Sequence, residues 1–132
     1  MNVDCKYGFG KQVDYSFSAA LERVTGLLSE NGFTIHSRID MRAVFCAERT
    51  LPFNDYIILG ACRQDFAERA FNADHNIGLL LPCNVIVYEE LSGEVVVMVK
   101  DPIHIMDLVS KPTAIEVAIE VKSVLESIIS KL

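Results

Sequence analysis

Cys62 and Cys83 are the residues whose type and setting best suit chemistry. A thiol becomes a nucleophile or a soft-metal ligand when a cation, a metal or a helix N-terminus lowers its pKa. Cys62 closes the apolar run Tyr56-Ile57-Ile58-Leu59-Gly60-Ala61-Cys62 and is followed by Arg63 and by a helical pattern from Asp65. A cation and a helix dipole would both act on its sulfur. The same two residues are also explained as small buried hydrophobes, among the types most often found inside. Neither has a general base beside it in sequence, so packing is the favoured reading and activated thiol the alternative.

Arg63 adds a positive charge where an anionic ligand group could be held. On the extended segment after Pro82, Cys83, Val85, Val87 and Glu89 share one parity, and Asn84, Tyr88 and Glu90 the other. If the valines face the core, Glu89 must emerge at the strand end or find a partner, and a paired carboxyl there could act as acid or base. Asn84 is best explained as satisfying backbone groups freed by Pro82. His36, His75 and His104 have no ligand spacing, and Cys5, Cys46, Cys62 and Cys83 contain no C-x-x-C half-site, so no metal is expected. Disulfides are not expected either. Phosphate-binding glycine loops, the nucleophile elbow and the zinc-protease helix motif are all missing.

Positioning these residues falls to elements that follow from hydrophobic period. Tyr7 to Tyr15 alternates as a strand with Gly8 and Gly10 on its second face, where they permit close packing or a bulge. Phe17, Ala20, Leu21, Val24, Leu27 and Leu28 keep helical spacing between an N-cap at Ser16 and a stop at Asn31-Gly32. Phe33, Ile35, Ser37 and Ile39 predict one face of a strand, and Ala43 to Glu48 a further strand. Turn chemistry at Leu51 to Asp55 leads into Tyr56 to Cys62, apolar on both faces and so expected in the sheet interior. Asp65 to Asn72 predicts a short helix. Leu79 to Glu90 is expected to be extended, with Pro82 at an edge, a strand start or a bulge. A hairpin through Leu91 to Glu94 returns as Val95 to Lys100, and one or two helical turns follow over Pro102 to Val109. A last helix over about 112–131 opens on Pro112. It is apolar over so much of its girth that it is either sandwiched in the core or shared with a second subunit.

Tight connections between neighbouring strands predict an α+β fold with a mainly antiparallel sheet and helices on one face. The 132 residues suit a single domain, and 51% hydrophobic residues suffice for a core without metal or disulfide support. A net charge of -6 with no Lys/Arg cluster argues against nucleic-acid binding, which draws on grouped cations. No apolar run approaches the roughly twenty residues of a membrane helix, and Met1-Asn2-Val3-Asp4-Cys5 is not a leader, so a cytoplasmic location is expected.

Gly60-Ala61-Cys62, Leu80-Leu81-Pro82-Cys83-Asn84, Val87-Tyr88-Glu89 and Asp101-Pro102, in that order and at those separations, resemble the bacterial and archaeal family called Domain of Unknown Function 302. The similarity runs from about Tyr7 to Val109. It implies a compact α+β domain similar in shape to the TATA-binding-protein-like fold, usually a dimer, with no established activity. Family members commonly continue Gly-Ala-Cys with Asn-Pro, where this chain has Arg63-Gln64. That loses a favoured first-turn proline and gains a cation.

The leading functional expectation is a cytoplasmic homodimer that binds a small molecule or a partner, with Cys62, Arg63, Cys83, Asn84 and Glu89 as candidate ligand-binding or reactive residues. Its cofactor, if any, is not legible. The alternatives are a thiol-dependent enzyme or redox sensor using Cys62 or Cys83, and a purely structural interaction module. Dimerisation is expected through apolar surface on the last helix.

Overall fold

The computed structural model describes residues 1–46 and 54–132. Among the described residues six strands form one antiparallel sheet: β1 (Asn2–Cys5), β2 (Gly8–Val13), β3 (Thr34–Asp40), β4 (Tyr56–Cys62), β5 (Cys83–Glu89) and β6 (Val95–Lys100). Their spatial order is β1-β2-β6-β5-β4-β3. The described helices are α1 (Phe17–Glu30), α2 (Met41–Cys46), α3 (Gln64–Ala73), α4 (Pro102–Met106) and α5 (Pro112–Ser130), with a 3-10 turn over His75–Leu80. The predicted α+β architecture is therefore present.

Local chemistry accounts for the main boundaries. Ser16 caps α1 by accepting the Ala19 N–H at 3.2 Å. Gly32 takes a left-handed φ of +81°, which ends that helix where Asn31-Gly32 predicts. Between them Ala20, Leu21, Val24, Leu27 and Leu28 are buried. They meet Leu59, Val85, Val87, Val97 and Val99 from the sheet and Leu125 and Ile128 from α5 in one core.

Helix α5 buries Ala114, Val117, Ala118, Val121, Leu125, Ile128 and Ile129. These side chains pack against the sheet, α1, α3 and α4. Among its large apolar residues Ile119 stands well exposed, and Ile115 and Val124 are half-buried. The face of the sheet away from this core carries Ile58, Ile86 and Met98, all half-buried, and Tyr56 stacked on Tyr88 at 5.3 Å between ring centroids.

Several elements depart from the sequence reading. Ala43 to Cys46 is helical rather than extended, because the Asp40 side chain accepts the Ala43 N–H at 3.0 Å and starts α2. The rest of that predicted strand, and the turn residues Leu51 to Phe53, lie outside the described residues. Strand β1 was not expected, since Asn2-Val3-Asp4-Cys5 has no apolar alternation; it is an edge strand held by ladder bonds to β2. Leu79 and Leu80 belong to the 3-10 turn, which Asp74 caps by accepting the Asn76 N–H.

Strand β3 is an edge with a bulge between Ile35 and Ser37. Ile35 pairs with Ala61 but Ser37 pairs with Gly60, so the extra residue, His36, reverses the parity. Ile35 packs on the core, whereas Ile39 comes beside Ile58 and is exposed. Period alone places them on one face.

Candidate functional site

Strand pairing brings the two cysteines to the same end of the sheet. Cys83 opens β5 opposite Ala61 on β4, and Cys62 is the next residue along. Pro82 precedes β5, where its missing N–H costs no ladder bond. Between this sheet end and the helices lies a cavity of about 50 Å³. Cys62 and Cys83 line it from the strands, Phe66 and Ala70 from α3, Met106 from α4 and Val121 from α5.

The electrostatics of the two cysteines' surroundings do not favour a thiolate at Cys83. Burial pushes its thiol up to about 11, and the partly opposing charge of Lys100 does not reverse this. Cys62 is half-buried, and Cys5 is exposed on β1, far from this corner in the strand order. Cys5, Cys62 and Cys83 are all free thiols.

Arg63 lines the cavity, yet its charge is committed elsewhere. Its Nε and Nη2 donate to Asp65 Oδ1 and Oδ2 at 2.7 and 2.8 Å, a bidentate pair. The hydrogen bond from Arg63 holds the Asp65 carboxyl down at about 2. The guanidinium carbon also sits 3.9 Å from the centroid of the Phe66 ring, and Phe66 meets Phe33 at 6.5 Å. Arg63 therefore braces the start of α3 and leaves little of its charge for a ligand anion.

Asn84 and Glu89 do not join this cluster. Asn84 is exposed, opposite Gly60, and lines a groove on the open face of the sheet with Tyr56, Ile86 and Tyr88. Glu89 has the parity of Cys83 but lies six residues along β5, about 20 Å away at strand rise. The residue is half-buried at the hairpin end, paired with Val95.

Lys100 is the site residue that sequence reasoning passed over. Last in β6, it lines both the cavity and the open-face groove. Its ammonium donates to the carbonyls of Leu80 at 2.5 Å and Pro82 at 3.0 Å. The carbonyls around Pro82 are thus bound by a lysine from the neighbouring strand, not by Asn84. The signal available was a lysine ending the apolar run Val95 to Val99, and nothing local tied it to Pro82. Next to it, Asp101 is buried and paired with Lys122 at 2.8 Å. Among the described residues, no three His, Cys, Asp or Glu side chains gather where they could hold a metal. None of the described helices is long and apolar enough to cross a membrane.

No curated protein matches the sequence. Among solved structures, the chain is similar to an uncharacterized conserved protein DUF302 from Bacillus stearothermophilus. The TM-score is 0.88 at 20% identity, over 96% of this chain and 98% of the other, a likeness that speaks to the fold. The family model described as Domain of unknown function DUF302 matches residues 9–132, nearly the whole chain, and by that match the protein belongs to the DUF302 family.

Proposed function

We propose that the protein is a cytoplasmic, homodimeric domain that binds a small molecule in the cavity between Cys62, Cys83 and helices α3 to α5. The observation that carries this reading is the cavity itself. It is an apolar space of about 50 Å³ left between packed elements, in an interior type that normally leaves few voids larger than a water. At roughly 10–15 Å³ per water-sized occupant, it has room for about four such groups. An apolar space of this kind favours an apolar occupant over water.

Xenon and 3-methylbutan-1-ol, both neutral and small, test the reading by protein-observed NMR. Binding is expected to shift the amides of Ala61, Cys62, Phe66 and Cys83, and Ala67→Leu, which fills the space, is expected to abolish those shifts. Unmoved amides at saturating probe would refute the cavity as a binding site.

Self-association is supported by a separate observation: Ile58, Ile86, Met98 and the Tyr56–Tyr88 stack form a half-exposed apolar band on the open face of the sheet. Sedimentation at micromolar concentration is expected to give twice 14.7 kDa. A clean monomer would refute the homodimer. Free thiols at Cys5, Cys62 and Cys83 suit the reducing cytoplasm. The thiol-enzyme alternative is weakened by the raised Cys83 pKa and by the engagement of Arg63 with Asp65.

A further inference from the structure

We propose that two copies dock open face to open face with their strands running in opposite directions, so that the basic end of one sheet lies on the acidic end of the other. The inference rests on the reading of the open face as the self-association surface and adds the orientation of the second copy and the residues that fix it.

Register sorts the open face into rows. Ile58, Ile86 and Met98 lie side by side across β4, β5 and β6, and Tyr56, Tyr88 and Val96 form the next row. Past the aliphatic row the sheet ends in Lys100, level with Gly8, and in exposed Lys6 of the β1–β2 turn. Past the aromatic row it ends in Glu90, two residues after Tyr88, and Glu94, two before Val96, with Asp14 following β2. All three carboxylates are exposed. Burial is the larger cause of the raised Tyr88 pKa, and the charge of Glu90 adds to it, as a carboxylate near the aromatic row must. Asp4, near the basic end, pairs with core-facing Phe9 and so lies on the helix side, where its charge acts on Lys122. Among the described residues Lys6, Asp14, Glu90 and Glu94 have no ion-pair partner within 4 Å.

Two such faces related by a two-fold axis have their strands either parallel or opposed. Parallel docking sets Asp14, Glu90 and Glu94 toward the same three carboxylates of the second copy, and like charges brought together at an interface are strongly disfavoured. Opposed docking sets them toward Lys6 and the end of β6 instead. It also lays the aliphatic row of one copy on the Tyr56–Tyr88 stack of the other, so the apolar band is covered from both sides. The size of the face makes its ends count. The sheet has six strands; at about 4.8 Å between strands and about 3.4 Å per residue, about six residues in each give a footprint of about 580 Å². A standard interface takes about 800 Å² of accessible surface from each partner. With side-chain relief the whole face is needed, and its charged ends fall inside the contact.

Sedimentation equilibrium of the full chain tests the orientation. Glu90→Lys combined with Glu94→Lys is expected to weaken the dimer at least about tenfold. Each replacement adds two positive charges, taking the net charge from -6 to -2 per copy, so overall repulsion alone would tighten the dimer. Adding Lys6→Glu to that variant is expected to recover at least about threefold, although the net charge returns to -4. Lys6 and the acidic end lie about 20 Å apart within one chain at strand rise, so the recovery reports contact between copies. The main-chain bond from the Glu90 N–H to the Glu94 carbonyl survives these changes. Asp14→Lys, on a separate loop, is expected to weaken the dimer in the same sense and serves if the double variant misfolds. A dimer that tightens in Glu90→Lys/Glu94→Lys and loosens again with Lys6→Glu, or one indifferent to every replacement, would overturn the opposed orientation and leave self-association standing. A wild-type chain that stays monomeric at micromolar concentration would overturn both.

Discussion

Replacing Asp101 by alanine removes two supports where β6 passes into α4. The carboxylate accepts the Ile103 N–H at 2.9 Å, capping α4, and the Lys122 ammonium at 2.8 Å, tying α5 to the end of β6. Its side chain is 9% exposed, so solvent screens neither bond strongly. Loss of an N-cap costs about 1 kcal/mol, and loss of a hydrogen bond between charged groups about 1.5–3 kcal/mol. Asp101→Ala is therefore expected to destabilise by about 2.5–4 kcal/mol, because the backbone bond from Asp101 N–H to Tyr7 O survives the change. In urea, with a slope of about 2 kcal/mol per molar, the midpoint should fall by about 1.3–2 M.

The pH dependence of that contribution has a definite sign. Burial alone would push the Asp101 carboxyl up, but the bonds from Lys122 and Ile103 outweigh it and hold it below its ordinary 3.8. The bond to Asp101 holds Lys122 above its ordinary 10.5. A depressed carboxyl contributes stability that is complete above 3.8 and disappears as pH falls through the lower folded value. A raised lysine contributes below 10.5 and loses its share as pH climbs through the higher one. The difference between wild type and Asp101→Ala should thus be flat between those values and shrink in acid below 3.8. A loss under about 1 kcal/mol at neutral pH, or a difference that grows in acid, would refute the assignment of Asp101 as cap and ion-pair partner.

Two glycines should respond in opposite directions to alanine. At Gly10 a Cβ would run into the Val97 carbonyl oxygen and come within 2.7 Å of Met98 Cα, both backbone atoms of the neighbouring strand, so Gly10→Ala should cost about 3 kcal/mol or more in chemical denaturation. At Gly26, inside α1 with open space around it, Gly26→Ala should gain about 0.5–1 kcal/mol. Native-state alkylation read by mass spectrometry should modify exposed Cys5 first and Cys83 only on unfolding, with rapid labelling of Cys83 contradicting its raised pKa. Amides of Val85, Val87, Val97 and Val99, all within paired interior strands, should be among the slowest to exchange, and exchange within seconds would contradict the β5–β6 pairing.

How far the fold was legible depended on whether its signals were local. Helix α1 carried its cap, its apolar stripe and its glycine stop within the seventeen residues from Ser16 to Gly32, and the β5–β6 hairpin carried its turn between two valine-rich runs. Where the deciding contact lay elsewhere, period misled. A capping carboxylate at Asp40 turned the alternation of Ala43 to Cys46 into a helix. One extra residue at His36 sent Ile35 and Ile39 to opposite faces. β1 has no apolar face of its own and exists through its pairing with β2, which no pattern within Asn2 to Cys5 announces.

The candidate site shows the same division at the level of chemistry. Residue type and family motif both directed attention to Cys62, Arg63, Cys83, Asn84 and Glu89, and strand register gathers only the first three. Within that group the partners change what each can do. Asp65 neutralises Arg63, two residues away in a helical first turn, and apolar walls deprive Cys83 of the solvation a thiolate needs. The charge that strand register brings to this corner is on Lys100, whose carbonyl partners lie 20 and 18 residues upstream. Sequence shows a lysine at a strand end, where solvation is the ordinary fate of its charge. Only the pairing of β5 with β6, which lays that strand end beside the Leu80 and Pro82 carbonyls, makes it a half-buried cation that ties down the chain around Pro82. Register thus decides what this corner holds: the lysine's charge is spent on backbone carbonyls, and the cavity beside it is left apolar.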